Sequence, residues 1–267
     1  MSTRLAGRVI LIAGSTGIAE ATAIRAADEG AMVAVVSRTA DHAEALASRI
    51  GGTWFAADLT VEDEVDAAVT DAVSRHGRID GHFSGTGGSG RRFGDGPAHT
   101  LTAHAWEATA RLNVQGHLLT CARVLRQMRG QERNASGTRG SIVLLGSVLA
   151  SEPVPELFGT HAYAAAKGAL VSLTSAMAAA YVTDRIRVNL VAPSLSATPM
   201  ATRAAADPHI LEYASRKQPL AGPLLDPVEV AHAAIYFLSD ESRTVTGQVL
   251  KVDGGWSVIS TTADPSA

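Results

Sequence analysis

The sequence predicts an α/β fold, a doubly wound parallel sheet of about seven strands with helices on both faces. Three observations predict it. Short runs of β-forming apolar residues alternate with longer stretches of helical period along the whole chain. Those runs carry few alternating polar residues, as strands covered on both faces do. The regular β–α alternation demands right-handed crossovers, which lay successive strands parallel. With 267 residues and 46% hydrophobic content the chain can bury one large core. One domain over 1–259 is expected, with a small, polar and flexible tail over 260–267.

In chain order, strands are expected at 8–13, 32–36, 53–56, 79–83, 141–145, 187–192 and 248–252, with helical stretches between them. Three segments break the rhythm. The glycine-dense "GTGGSGRRFGDGP" over 85–97 must be a loop. Residues 151–160 carry Pro153 and Pro155, and in 194–220 prolines 199, 208 and 219 bracket short Ala-rich helices. Each follows the carboxyl end of a strand, where open α/β sheets bind ligands. The last of them is expected to act as a substrate lid.

The charge balance excludes other classes. A net charge of −3 with no long basic block supplies no field for a phosphate backbone, so nucleic acid is not expected as a partner. Cys121 is the single cysteine, which leaves no intrachain disulfide and no thiolate metal site, and points to a reducing, cytoplasmic compartment. No apolar run approaches the roughly 18 residues of a membrane span, and the first strand begins so early that an unprocessed, soluble chain is expected. The nine histidines show no HExxH or other ligand spacing, so no metal is expected.

The run "VILIA" ends in "AGSTGIAEA", a strand, then glycines, then a helix. That order sets free backbone N–H groups and a helix dipole against a pyrophosphate. Gly14, Ser15, Thr16, Gly17 and Ile18 are therefore candidate cofactor contacts, although a tight turn needing positive φ explains the glycines equally well. The second strand ends at Ser37-Arg38, where an NAD-preferring site usually offers a carboxylate to the ribose 2′-hydroxyl. A neutral serine and a cation instead favour a 2′-phosphate, hence NADP(H) over NAD(H). Asp58, with Leu59 after the third strand, can accept from the adenine amino group or cap the next helix.

Tyr163 and Lys167 stand four residues apart in a helical stretch, on one face. An ammonium beside a phenol lowers its pKa and makes tyrosine a general acid and base near neutral pH. Ser147, after the fifth strand, can donate to a carbonyl oxygen at the same place, or be an ordinary cap. His161, two residues before Tyr163, lies off the tyrosine's face. Arg91-Arg92 reads first as a solvated pair and second as a clamp for an anionic substrate.

With these landmarks the chain resembles the short-chain dehydrogenase/reductase family, notably its 3-oxoacyl-carrier-protein-reductase-like members. The likeness runs through Gly14-Gly17, Asp58, Asn113 in "RLNVQG", Ser147 in "LLGSV", "YAAAK" at 163–167, "IRVNLVAP" ending at Pro193, Thr198-Pro199-Met200 and "VDGG" at 252–255. It implies a Rossmann-like fold and hydride transfer between a nicotinamide and a carbonyl or alcohol carbon, on a small-molecule substrate. Tyr163 would be the general acid and base, and Lys167 would hold the nicotinamide ribose. Ser147 would orient the substrate oxygen, and Asn113 would support a relaying water. Thr198 would meet the carboxamide, with Gly85 and Pro193 lining the cofactor. A homo-oligomer, tetramer or dimer, is also implied.

The chain departs from the family pattern in three main places, besides the minor Pro193-Ser194 where Pro-Gly is common. The turn T-G-x-x-x-G-x-G is one residue shorter, with Ala13 and Ala19 at its ends. N-N-A-G becomes Ser84-Gly85-Thr86-Gly87, in which Ser84 and Thr86 can replace some hydrogen bonds. Ser147 and Tyr163 are sixteen residues apart, a longer loop than usual that would reshape the substrate entrance. The altered turn predicts weaker cofactor binding and supports the alternative, a non-catalytic Rossmann protein for nucleotide sensing or assembly.

Overall fold

The computed structural model describes residues 3–260. Its seven strands are β1 (Val9–Ala13), β2 (Met32–Ser37), β3 (Thr53–Ala56), β4 (Gly81–Ser84), β5 (Gly140–Leu145), β6 (Ile186–Pro193) and β7 (Val249–Val252). They form one sheet in the order β3-β2-β1-β4-β5-β6-β7, every neighbouring pair parallel. All seven lie within two residues of the expected positions. The largest shift is at β4, where Ile79 and Asp80 precede the strand. Gln131 and the backbone of Val9 take up their N–H groups, and the Asp80 carboxylate accepts from Val9 N at 3.1 Å. The tail expected over 260–267 lies, beyond Ser260, outside the described residues.

The helices are α1 (Ile18–Asp28), α2 (Ala40–Ile50), α3 (Glu62–His76), α4 (Ala103–Ala110), α5 (Gly116–Gly130), α6 (Pro155–Phe158), α7 (His161–Tyr181), α8 (Thr202–Ala205), α9 (Pro208–Lys217) and α10 (Pro227–Leu238). A π-helical turn, Arg111–Gln115, joins α4 to α5. Along β1 the side chains alternate between two cores. Ile10 and Ile12 pack with α1, α2 and α10 on one face, and Leu11 and Ala13 with α3, α5 and α7 on the other. Both cores are built almost wholly from aliphatic and Ala side chains, each fully buried Leu or Ile contributing roughly 1.5–3 kcal/mol.

Asp-Pro pairs start α9 and α10. Asp207 accepts from His209 N at 3.0 Å and Asp226 from Val228 N at 2.9 Å, with the following proline at the first helical position. The strand order reverses direction between β1 and β4, so a crevice opens at their carboxyl ends.

Candidate active site

Of the candidate catalytic residues, Ser147, Tyr163 and Lys167 line that crevice and Asn113 does not. Two adjoining cavities share Thr16, Arg38, Gly85, Thr86, Gly87 and Leu112, one of about 780 Å³ and one of about 240 Å³. The smaller is walled by Gly14, Ser15, Ser37, Asp58 and Leu59. Gly17, Ile18, Ser147, Tyr163, Lys167, Pro193 and Thr198 line the larger. Asn113, 0% exposed, lines neither and sits behind the wall.

The glycine turn is short but intact as a turn. Gly14 has φ +117° and Gly17 φ +58°, both in the region that favours glycine. Gly17 is the N-cap of α1 and supplies no side-chain cap, which leaves the helix N-terminus facing the crevice. A Cβ on Gly17 would come within 2.9 Å of the Thr198 methyl, so Thr198 packs directly over the turn. Ser15 Oγ donates to Ser37 Oγ at 2.8 Å and ties the turn to the end of β2.

Two departures from the family pattern lie in contact. The Ala19 methyl occupies space bounded by Gly14 and Gly85, and a Cβ on either would approach it to 2.9 or 3.0 Å. A residue larger than glycine at 85 would also meet Ala13 O and the Phe83 ring, each at 2.9 Å. Alanine at 19 thus goes with glycine at 85. Ser84, which replaces the other asparagine, bonds His117 Nδ1 on α5 at 2.7 Å. His82, two residues earlier on β4, bonds Leu11 O through Nδ1 at 3.1 Å. Burial pushes His82 down to about 4, and burial together with the Lys167 charge holds His117 well below the usual imidazole range. Both are neutral struts at pH 7.

At the adenosine end, Asp58 Oδ1 accepts from Thr60 N (2.9 Å) and Thr60 Oγ1 (2.8 Å). The N-cap of α3 is Val61, so Asp58 braces the turn before the helix rather than capping it. Burial raises its pKa, but the Thr60 hydrogen bonds and the fields of Arg38 and Arg111 outweigh this and lower it overall. Arg38 lies exposed at the rim shared by the two cavities.

At the other end, α7 carries Tyr163 and Lys167 on one face, with the ammonium 5.6 Å from the ring centroid. Lys167 is 3% exposed, and Nζ donates to Leu145 O at 2.8 Å, its one hydrogen-bond partner among the described residues. Two further N–H donors are left for a ligand. The sequence reading had the lysine lowering the tyrosine; the structure corrects this. Burial pushes the Tyr163 phenol up to about 12, while its hydrogen bond with Ser147 pulls the other way, and burial pushes Lys167 down to about 7. Desolvation acts against the charged form of each and is the first cause of both shifts. Ser147 is also a cap, accepting from Leu149 N at 3.2 Å.

Asn113 spends its amide on the protein. Nδ2 donates to Gly88 O (2.9 Å) and Thr109 O (3.0 Å), and Oδ1 accepts from Gly88 N (3.1 Å). It stands in the π-helical turn and pins the glycine-rich loop. His161 Nδ1 accepts from Ala98 N at 3.0 Å, a structural bond.

Sequence reasoning missed two residues. Asp95, in "FGDGP", accepts from Ala162 N and Tyr163 N at 2.9 Å each and so caps α7 from a distant loop. The N-cap residue Thr160 makes no side-chain cap of its own, its hydroxyl donating instead to Phe158 O at 3.4 Å. A lone carboxylate among glycines was the available signal. His117 had none, because only the fold brings it to Ser84.

The residues present fit a dinucleotide. The hydroxyls of Thr86 and Ser194 are buried, line the larger cavity and have no hydrogen-bond partner among the described residues. With the uncapped N-terminus of α1 and the spare donors of Lys167, they form a set of polar groups suited to phosphate and ribose.

Fold and site together define a nucleotide-dependent oxidoreductase. The family model described as enoyl-(acyl carrier protein) reductase matches residues 12–257. The chain is 35% identical to short-chain dehydrogenase reductase 5 of Arabidopsis thaliana, with 98% of each chain covered. It is 36% identical to 2-(S)-hydroxypropyl-CoM dehydrogenase 3 of Xanthobacter autotrophicus, covering 97% of this chain and 100% of that one. Among solved structures, 3-ketoacyl-(acyl-carrier-protein) reductase from Brucella melitensis complexed with NADH superposes with a TM-score of 0.81 at 31% identity, covering 95% of this chain and 100% of that one. Aldohexose dehydrogenase of Thermoplasma acidophilum gives 0.84 at 27% identity, with 99% and 100% covered. The chain belongs to the short-chain dehydrogenase/reductase family and is an NAD(P)-dependent oxidoreductase.

Proposed function

We propose that this chain interconverts a ketone or aldehyde and the matching alcohol, with Tyr163 as general acid and base, and that it favours NADP(H). The observation that carries the reading is that Ser147, Tyr163 and a buried Lys167 line the same cavity as Gly17 of the glycine turn. A nicotinamide bound there supplies or receives the hydride. Ser147 Oγ orients the substrate oxygen and Tyr163 Oη delivers the proton to it. A phenol raised to about 12 is fully protonated at pH 7, the form that reduction requires. Lys167 holds the nicotinamide ribose through its spare donors. Asn113 supports the site from beneath through Gly88.

Arg38 supports the NADP(H) preference, since it stands at the rim where a ribose phosphate would lie and Ser37 adds no carboxylate. Asp58 and Leu59 serve the adenine end, and Pro193 and Thr198 the nicotinamide end. Residues 1–259 act as one domain with its lid in 194–220. The assembly is a homo-oligomer, tetramer or dimer. A cytoplasmic setting suits the single buried Cys121, whose thiol burial pushes up to about 12. No helix among the described residues is long and apolar enough to cross a membrane.

The test is a panel of ketones, aldehydes and alcohols with both nucleotides, run on the chain and on Tyr163→Phe. Turnover lost in the variant with nucleotide binding kept supports the reading. Equal turnover in both overturns the role of Tyr163. A protein that binds nucleotide but turns over nothing belongs to the sensing or assembly alternative.

A further inference from the structure

We propose that Arg91 and Arg203 form a binding site for an acidic group on the substrate, a carboxylate or sulfonate, so that this chain acts on carbonyl or alcohol compounds with an anionic end. The proposal rests on the carbonyl–alcohol reading and extends it to a substrate class.

Three separate loops build the site. Arg91 lies in the 3₁₀ turn Gly90–Phe93 after β4, and Arg203 in α8 after β6. Both donate through Nη2 to one acceptor, Leu157 O, at 3.4 and 3.2 Å. Leu157 belongs to α6, inside the long connection between Ser147 and Tyr163. The lengthened loop thus provides the carbonyl that gathers two guanidinium groups at the mouth of the cavity.

Neither arginine has an ion-pair partner among the described residues, since no carboxylate of theirs lies within ion-pair distance of either. The field of Asp95 reaches Arg91, but both of its oxygens are committed to N–H groups of α7. Burial and then the neighbouring Arg203 charge lower the pKa of Arg91, so each cation feels the other. Arg92, lying over the Phe93 ring at 4.5 Å, adds charge at the same rim. Two like charges brought together on a neutral carbonyl repel each other. A planar oxyanion offering two acceptor oxygens relieves that repulsion and matches the guanidinium forks.

The position fits a substrate rather than a surface ion. Both arginines line the cavity that holds Ser147 and Tyr163, and Val148, Leu149, Phe158 and Met200 line it as well. An apolar body would pack on these side chains, with its carbonyl at Tyr163 and its acidic end at the arginines.

The test uses matched pairs, acetoacetate, 4-oxopentanoate and 5-oxohexanoate against their amides, which differ in charge and little in shape. The wild-type chain is expected to favour at least one acid over its amide by about 30-fold or more in kcat/KM, the scale of hydrogen bonds to a charged group. In Arg91→Gln/Arg203→Gln that ratio falls to near one, chiefly through KM of the acid. A wild-type ratio near one, or a ratio unmoved in the double variant, overturns the proposal while carbonyl turnover itself stands. Calorimetric titration of the nucleotide-saturated protein with hexanoate and hexanamide needs no turnover. Hexanoate binding weakened at least about 10-fold in the double variant supports the anion site even if every ketone fails, an outcome that would count against the carbonyl reading alone. Equal binding of hexanoate and hexanamide by the wild-type chain overturns the site.

Discussion

The two ends of the cleft follow the family pattern to different degrees. At one end, Ser147, Tyr163 and Lys167 have the family's residue types and Tyr–Lys spacing, and the fold brings them to the lining of one cavity. At the phosphate end the turn is a residue short, Ala19 stands for a glycine, and Ser84 and Gly85 stand for two asparagines. Ala19, Ser84 and Gly85 serve packing here, and packing can be satisfied by another combination of shapes. The Ala19 methyl fits against Gly14 and Gly85, and His117 reaches Ser84 across the core. In the proposed mechanism the phenol must pass a proton, a role that no other packing arrangement replaces.

The sharpest way to break this comparison is Tyr163→Phe. It should lower kcat by about 1,000-fold, within the range of general acid–base catalysis, while nucleotide affinity and melting temperature hold. Stopped assays with a responsive ketone, beside a nucleotide titration, give both readouts. A variant that stays active would put the two ends of the cleft on the same footing.

Acid should act on the phosphate end through its buried struts. His82 titrates near 4 in the folded chain and near 6.5 when unfolded, so the unfolded chain binds more protons between these values. Stability present above pH 6.5 is therefore lost as pH falls toward 4, by about 3 kcal/mol from this residue. Denaturant melts from pH 7 to 4 check it, and His82→Leu should flatten the slope. A slope unchanged in the variant would remove His82 from the account.

The Ala19–Gly85 adjustment is tested by a double-mutant cycle. Gly85→Ala should cost about 2 kcal/mol by overpacking against Ala13 O and Ala19, and adding Ala19→Gly should return part of that. Strict additivity would mean that the two positions changed independently.

Sequence reasoning reached the fold and much of the site by different routes. The strands were legible because their residues are apolar on both faces, and the helices because their periods interrupt those runs. The turn at Gly14-Gly17, Arg38 and the Tyr163–Lys167 pair were legible because their chemistry depends on local spacing. Asp95 and His117 were hidden because their partners lie 67 and 33 residues away, at Ala162 and Ser84. The direction of the Tyr163 shift was misjudged because spacing reveals neighbours and not burial. The meeting of Arg91 with Arg203 at Leu157 needed three loops to be placed, which no spacing encodes.

The central claim is that the shortened turn still holds a dinucleotide against Tyr163. Fluorescence titration with NADPH and NADH, on the chain and on Arg38→Gln, tests it most directly. The account predicts saturable binding of both nucleotides, NADPH the tighter by about 10-fold, with that margin lost in Arg38→Gln. Failure of both nucleotides to bind would contradict it and return the altered turn to the reading in which the phosphate site has been lost.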